Sequence, residues 1–292
     1  TLLGASAWVL FATRMGLPVS TTHAIVGSLV GVAAIAYGVE GVRWGALGGK
    51  VALPLLLTPV VSLALVTMLL RSTRRFAGAA ATSMPDCLCA AVVSTTPALA
   101  QVASPAVAPP LGAMRVRIVV GPRAACATKQ PRAARATVDH LHWLTAGAAS
   151  FARGMNDAPK MVALVLAAAA FQGSANLSAA PIFLLVTTGM VLGSAVGGRR
   201  VTRVLAEKVT PMDHREGFLA NLVTAGLVTA GATLGLPMST THVSAGGIIG
   251  AGAERASLNK KTLAEIALAW LVTLPAAAAL GIGAHLLGRW LS

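Results

Sequence analysis

The chain has 292 residues, of which 55% are hydrophobic and 11% charged, and its mean hydropathy is +0.75. A soluble domain carries roughly 25% charged residues, so this chain cannot cover itself with polar surface and its solvent is lipid. The net charge of +14 does not point to nucleic acid, because Lys and Arg collect in loops between apolar runs, the pattern of basic loops beside membrane spans.

Eight apolar segments follow in order, at about 1–15, 18–37, 46–70, 140–172, 181–198, 217–234, 238–253 and 262–288. They are continuous rather than alternating, which predicts helices. Most reach the ~20 residues that a span needs, and 140–172 is long enough to be broken. The first segment opens without a charged leader, which reads as an entry into the middle of a membrane protein. The segment 71–139 differs from the rest. It holds seven of the fifteen prolines and nine basic residues, and is predicted to be a largely disordered, basic, cytoplasmic linker. Cys87, Cys89 and Cys126 read as incidental thiols on a reducing face. The expected organisation is 1–70 as the later part of a first repeat, 71–139 as linker and 140–292 as a second repeat.

Charge orients the spans. With 71–139 inside and each segment crossing once, the inside loops 14–17, 71–139, 199–216 and 254–261 carry one, nine, five and three basic residues. The outside loops 39–45, 173–180 and 235–237 carry Arg43 alone. Basic residues favour the cytoplasmic side.

The sequence Gly16-Leu17-Pro18-Val19-Ser20-Thr21-Thr22-His23 returns as Gly235-Leu236-Pro237-Met238-Ser239-Thr240-Thr241-His242, and the match continues to Gly27/Gly246 and Gly31/Gly250. Five crossings separate Leu141 from the end, so the second copy enters the membrane from the side opposite the first. This is the inverted-repeat plan of secondary transporters. In each copy Pro cannot continue a helix, and Ser20 and Ser239 are N-caps for the helices that follow. A helix N-terminus with unpaired N–H groups and a positive dipole end is an anion site. Thr21, Thr22, Thr240 and Thr241 surround it with further donors. His23 and His242 can cap, donate to an anion or carry a proton.

Arg153, Asp157 and Lys160 are the charges between His142 and Arg199. Ionisable groups at membrane depth are costly and mark function or pairing. Asp157 and Lys160 lie three apart and share a helix face. Gly154 and Pro159 predict a helix break that frees carbonyls, which together with Asn156 and Asp157 suit Na⁺ or a proton. Thr187, Thr188, Asn221 and Thr224 read as interhelical hydrogen bonders, with Asn221 a second-rank site residue. No structural metal or cofactor is expected beyond a coupling H⁺ or Na⁺.

These residues resemble the inorganic phosphate transporter (PiT) family, through both Gly-Leu-Pro-x-Ser-Thr-Thr-His copies and the Gly154-Met155-Asn156-Asp157 segment. The resemblance covers the chain outside the linker and lacks the first part of the N-terminal repeat. It implies an all-α integral membrane fold, an inverted-repeat secondary transporter with broken helices and about eight membrane segments here. It implies symport of phosphate with H⁺ or Na⁺ rather than an enzyme, in the plasma or inner membrane, with the bilayer as partner and a homo-oligomer compatible. Carried over by residue, anion contacts fall at Ser20, Thr21, Thr22, Ser239, Thr240 and Thr241, and ion and anion contacts at Asn156 and Asp157.

The family pattern Gly-Ala-Asn-Asp-x-Ala-Asn, preceded by His, is altered here. Arg153 replaces the His, Met155 the first Ala, and Pro159-Lys160 the final Ala-Asn. A cation then stands where a coupling Na⁺ would bind, which implies Na⁺-independent transport. Three alternatives remain: a permease for another tetrahedral oxyanion such as sulfate, an inactive truncated transporter, and an intramembrane hydrolase using Ser20, His23 and Asp157. Exact duplication of the Ser-x-x-His unit disfavours the last.

Overall fold

The computed structural model describes residues 1–76, 87–94, 114–121, 132–171 and 178–291. They divide into a helical unit, 1–70 with 145–292, and a smaller unit, 71–144.

In the helical unit every apolar run is a helix. α1 (Leu2–Met15) and α2 (Thr21–Tyr37) flank the first Gly-Leu-Pro turn. A short α3 (Trp44–Leu47) leads through a π-turn into α4 (Leu53–Phe76). α5 (Val138–Phe171) and α6 (Ala179–Arg203) follow, then α7 (His214–Thr233) and α8 (Thr240–Arg255) around the second turn, and finally α9 (Lys260–Leu291). Among the described residues, three helical stretches are long and apolar enough to cross a membrane: Trp44–Arg75, Ala179–Lys208 and Lys260–Leu291. α1 and α2, of 14 and 17 residues, rise about 21 and 26 Å, short of a hydrocarbon core of about 30 Å. The turn between them is inside the protein, with Gly16, Pro18, Val19 and Ser20 all buried.

Lipid-facing surface is evident on α6, where no residue is buried and Leu184 and Leu185 are 68% and 73% exposed. Large apolar side chains exposed along whole helices mark contact with lipid rather than water.

Three expectations are corrected. The predicted break in 140–172 does not occur, because α5 runs without interruption through Gly154 and Pro159. The cyclic residue removes one N–H, and the helix continues with one backbone bond fewer. The smaller unit is neither all-α nor without regular structure. β1 (Cys87–Ser94) is the central strand of an antiparallel sheet, between β2 (Met114–Gly121) and β3 (Arg132–Thr137). Cys87 is disulfide-bonded, against the expectation of incidental thiols, whereas Cys89 is a free, buried thiol. The remaining linker positions, 77–86, 95–113 and 122–131, lie outside the described residues.

The helical unit is held together by crossed packing. A Cβ built on Gly27 would stand 2.5 Å from the Leu274 carbonyl oxygen, and one on Gly31 2.8 Å from that of Ala278, so α2 lies backbone to backbone on α9. The repeat-equivalent glycines do the same on the other side. Gly246 abuts the Pro59 carbonyl, and a Cβ on Gly250 would stand 2.6 Å from the Leu63 carbonyl oxygen, so α8 lies on α4. Small residues let helix backbones approach closely where lipid supplies no hydrophobic drive. Each glycine face therefore packs on a long proline-containing helix from the other half of the chain.

Candidate functional site

The site begins with two matched turns. Gly16 and Gly235 both adopt left-handed backbone, at φ 74° and 68°, a conformation glycine takes without penalty. Around them Leu17 N–H donates to Ala12 O and Leu236 N–H to Gly231 O, both at 2.9 Å, closing the preceding helix with the long bond of a Schellman end. Pro18 and Pro237 follow, and the next helix begins at a serine cap. Ser20 Oγ accepts the His23 amide at 3.2 Å and Ser239 Oγ the His242 amide at 3.3 Å. Each cap takes the third amide of its helix and leaves the first two, at Thr21 and Thr22 and at Thr240 and Thr241, for another acceptor.

The two turns meet. Thr22 Oγ1 donates to Met238 O at 3.0 Å, and Thr241 Oγ1 donates to Val19 O at 3.1 Å. Thr22 is the counterpart of Thr241 and Val19 that of Met238, so these bonds are reciprocal. His23 and His242 also meet each other, stacked with ring centroids 4.6 Å apart and planes 13° apart. Trp270 of α9 stacks on the far face of His242 at 3.7 Å and donates its Nε1–H to Pro18 O at 3.0 Å.

α5 delivers the charged residues to this junction. Asp157 and Asn156 are 5% and 4% exposed. The Asp157 carboxylate accepts from Thr21 Oγ1 at 3.3 Å, from Asn156 Nδ2 at 2.7 Å and from Lys160 Nζ at 3.3 Å. Asn156 Nδ2 and Lys160 Nζ also donate to Met238 O, at 2.9 and 3.0 Å, and Lys160 Nζ donates to Thr22 Oγ1 at 3.0 Å. The predicted pairing of Asp157 with Lys160 is present.

Ser20, Thr21, Thr22, Ser239, Thr241, His23, His242, Asn156, Asp157 and Lys160 are thus in one connected cluster. Thr240, the counterpart of Thr21, is 5% exposed, and its hydroxyl has no hydrogen-bond partner among the described residues. Arg153 is exposed on α5 and makes no bond to the cluster. Thr187 and Thr224 are not interhelical bonders. Their hydroxyls donate to Phe183 O at 2.8 Å and Ala220 O at 2.7 Å in their own helices.

Reading the motifs separately missed three participants. The Met238 and Val19 carbonyls act through the backbone, which leaves no residue-type signal. Trp270 belongs to a segment that reads only as apolar.

The two histidines differ in their partners. His242 Nδ1 lies 2.6 Å from Ser239 Oγ, whereas His23 Nδ1 is buried without a hydrogen-bond partner among the described residues. A second asymmetry lies beside the site, where Trp8 Nε1 donates to Thr273 Oγ1 at 3.1 Å. Thr58, at the corresponding place on α4, has a buried hydroxyl without a partner among the described residues.

The chain is 29% identical to a protein of Pyrococcus abyssi (strain GE5 / Orsay) that carries the name phosphate permease, over 94% of this chain and 74% of that one. It is 27% identical to the inorganic phosphate transporter 2-1, chloroplastic, of Arabidopsis thaliana, over 97% of this chain but 57% of that one. Among solved structures, one described as the sodium-dependent phosphate transporter shares the fold, with a TM-score of 0.70 at 22% identity. That match covers 100% of this chain and 78% of the other. The sequence pattern of the phosphate transporter family matches residues 1–281, and with the mostly helical, lipid-facing fold and the paired capped turns it establishes that this chain belongs to that family of membrane transporters.

Proposed function

We propose that this chain carries inorganic phosphate across the plasma or inner membrane, coupled to H⁺ or Na⁺, at the junction of its two Gly-Leu-Pro turns. The carrying observation is the reciprocal pair Thr22 to Met238 O and Thr241 to Val19 O. It brings two helix N-termini to one buried junction, and two positive dipole ends with unspent amides attract an anion. Ser20, Thr21, Thr22, Ser239, Thr240 and Thr241 surround the anion, Asn156 and Asp157 join it to the coupling ion, and His23 and His242 flank it.

The reading includes an inverted repeat, 1–70 against 140–292, with about eight membrane segments and the basic region 71–139 on the cytoplasmic side. Crossed glycine packing and equivalent turns support the repeat, and the loop charges support the orientation.

Phosphate is favoured over sulfate by Asp157. A carboxylate offers about four lone-pair positions, and three donors occupy it here. The fourth has no donor among the described residues, and a protonated phosphate can supply one where sulfate cannot. Uptake of labelled phosphate into proteoliposomes, with unlabelled sulfate as competitor and with imposed H⁺ or Na⁺ gradients, tests the reading. Phosphate uptake that a large excess of sulfate leaves intact is expected. Uptake of sulfate in preference to phosphate overturns the assignment, and absence of any uptake by the full-length protein supports the inactive alternative.

A further inference from the structure

The Lys160 ammonium has three protons and three oxygen acceptors: Thr22 Oγ1 at 3.0 Å, Met238 O at 3.0 Å and Asp157 Oδ1 at 3.3 Å. Its hydrogen-bonding capacity is filled. The three acceptors are a hydroxyl, a backbone carbonyl at a helix break and a carboxylate, and they come from both turns and from α5. Carbonyls and helix ends of this kind coordinate Na⁺ in transporters with broken helices. Hard cations prefer such oxygen ligands. An ammonium makes the same demand on its surroundings as a small monovalent cation: oxygen lone pairs facing inward and one negative charge to balance it.

We propose that Lys160 is a tethered cation that fills the oxygen cage between the two turns, so that no free Na⁺ enters it and anion transport by this protein is independent of Na⁺. The inference rests on the transport reading for its functional half. Its structural half, that the cage is filled, stands separately. The tether joins Thr22 of one turn to Met238 of the other through a charge fixed on α5, and it supplies the attraction between the turns that a diffusible ion would otherwise bring with it.

The test uses the full-length protein and two measurements. The first is thermal melting in detergent with NaCl titrated against KCl and choline chloride at constant ionic strength, for wild type, Lys160→Asn and Lys160→Arg. The second is phosphate uptake into proteoliposomes with and without a Na⁺ gradient. Wild type and Lys160→Arg are expected to melt at the same temperature in Na⁺ as in K⁺. Lys160→Asn, with its cage emptied and an oxygen ligand added, is expected to gain a saturable, Na⁺-specific rise by linkage. Wild-type uptake is expected to change by less than about twofold when Na⁺ is replaced, against about tenfold or more for Lys160→Asn if binding is coupled to the transport step.

Na⁺-specific stabilisation of wild type, or wild-type uptake that collapses without Na⁺, overturns the proposal. So does a folded Lys160→Asn protein that ignores Na⁺ in melting. If Lys160→Asn does not fold, the wild-type melting and uptake arms still decide. Failure to take up phosphate, with the melting pattern as expected, overturns the substrate reading and leaves the filled cage standing.

Discussion

At the scale of single residues, the site depends on a charge pair with no slack. Asp157 is 5% exposed, and its partners are all internal. Replacing it by Asn keeps the shape and leaves the Lys160 ammonium beside a neutral amide. Breaking one side of a buried pair costs about 3–5 kcal/mol, whereas removing both charges can be close to neutral. Asp157→Asn is therefore expected to lower the melting temperature and abolish uptake. The double change Asp157→Asn with Lys160→Met is expected to recover much of the stability and none of the uptake. Melting that falls as far in the double variant as in the single one shows that the pair is not coupled. The sequence made Asp157 and Lys160 visible as neighbours on one helix face, because spacing alone decides that. It did not reveal that Lys160 and Asn156 both donate to the Met238 carbonyl, since a backbone oxygen in a distant turn has no signature.

At the scale of elements, the close glycine contacts decide how the helices lie. Gly27→Ala puts a methyl group 2.5 Å from the Leu274 carbonyl oxygen, which forces α2 off α9. Overpacking of this kind costs typically about 1–3 kcal/mol. Gly45→Ala meets nothing within 4 Å and serves as the control, with melting expected to be unchanged or slightly raised. Equal melting of the two variants removes the argument for close α2–α9 contact.

A second element-scale device closes the α7–α8 hairpin at its far end. Asp213 and Glu216 form a reciprocal capping box at the start of α7, and Arg255 in the last turn of α8 bonds both carboxylates. Glu216 is 2% exposed, so Arg255→Ala leaves a buried charge without its main counter-charge. A loss of about 3 kcal/mol is expected, read as melting in detergent. A fall indistinguishable from that of an exposed basic residue such as Arg203 removes the clamp. Helix positions were legible because membrane helices are continuous apolar runs. The continuity of α5 was not, because a proline signals a break in water more firmly than it does between packed helices. The strands of 71–139 were missed in a proline-rich composition, although the alternation Arg115-Val116-Arg117-Ile118 carried the period of a strand.

At the scale of the whole molecule, loop charge predicts sidedness. In a background with Cys87, Cys89 and Cys126 replaced by Ser, a membrane-impermeant thiol reagent is expected to label Glu40→Cys on intact cells. It is expected to label Arg203→Cys only after permeabilisation. Labelling of both from the same side contradicts the orientation. The duplication was legible from two matching octapeptides, but the exchange of packing partners between the halves was not. Sequence identity shows that a unit was copied, and contact geometry alone shows which copy covers which.

That exchange bears on why both copies sit in one chain. Gly27 and Gly31 are covered by α9, and Gly246 and Gly250 by α4, so a solitary copy of the unit would expose its glycine ridge to lipid and would lack the turn that satisfies its own threonine. A chain carrying one copy would need a second copy lying against it to cover both. One chain that carries both copies fixes the stoichiometry of that contact at one to one. The two halves are not equivalent in detail: Thr273 has a tryptophan donor, whereas the Thr58 hydroxyl has no partner among the described residues.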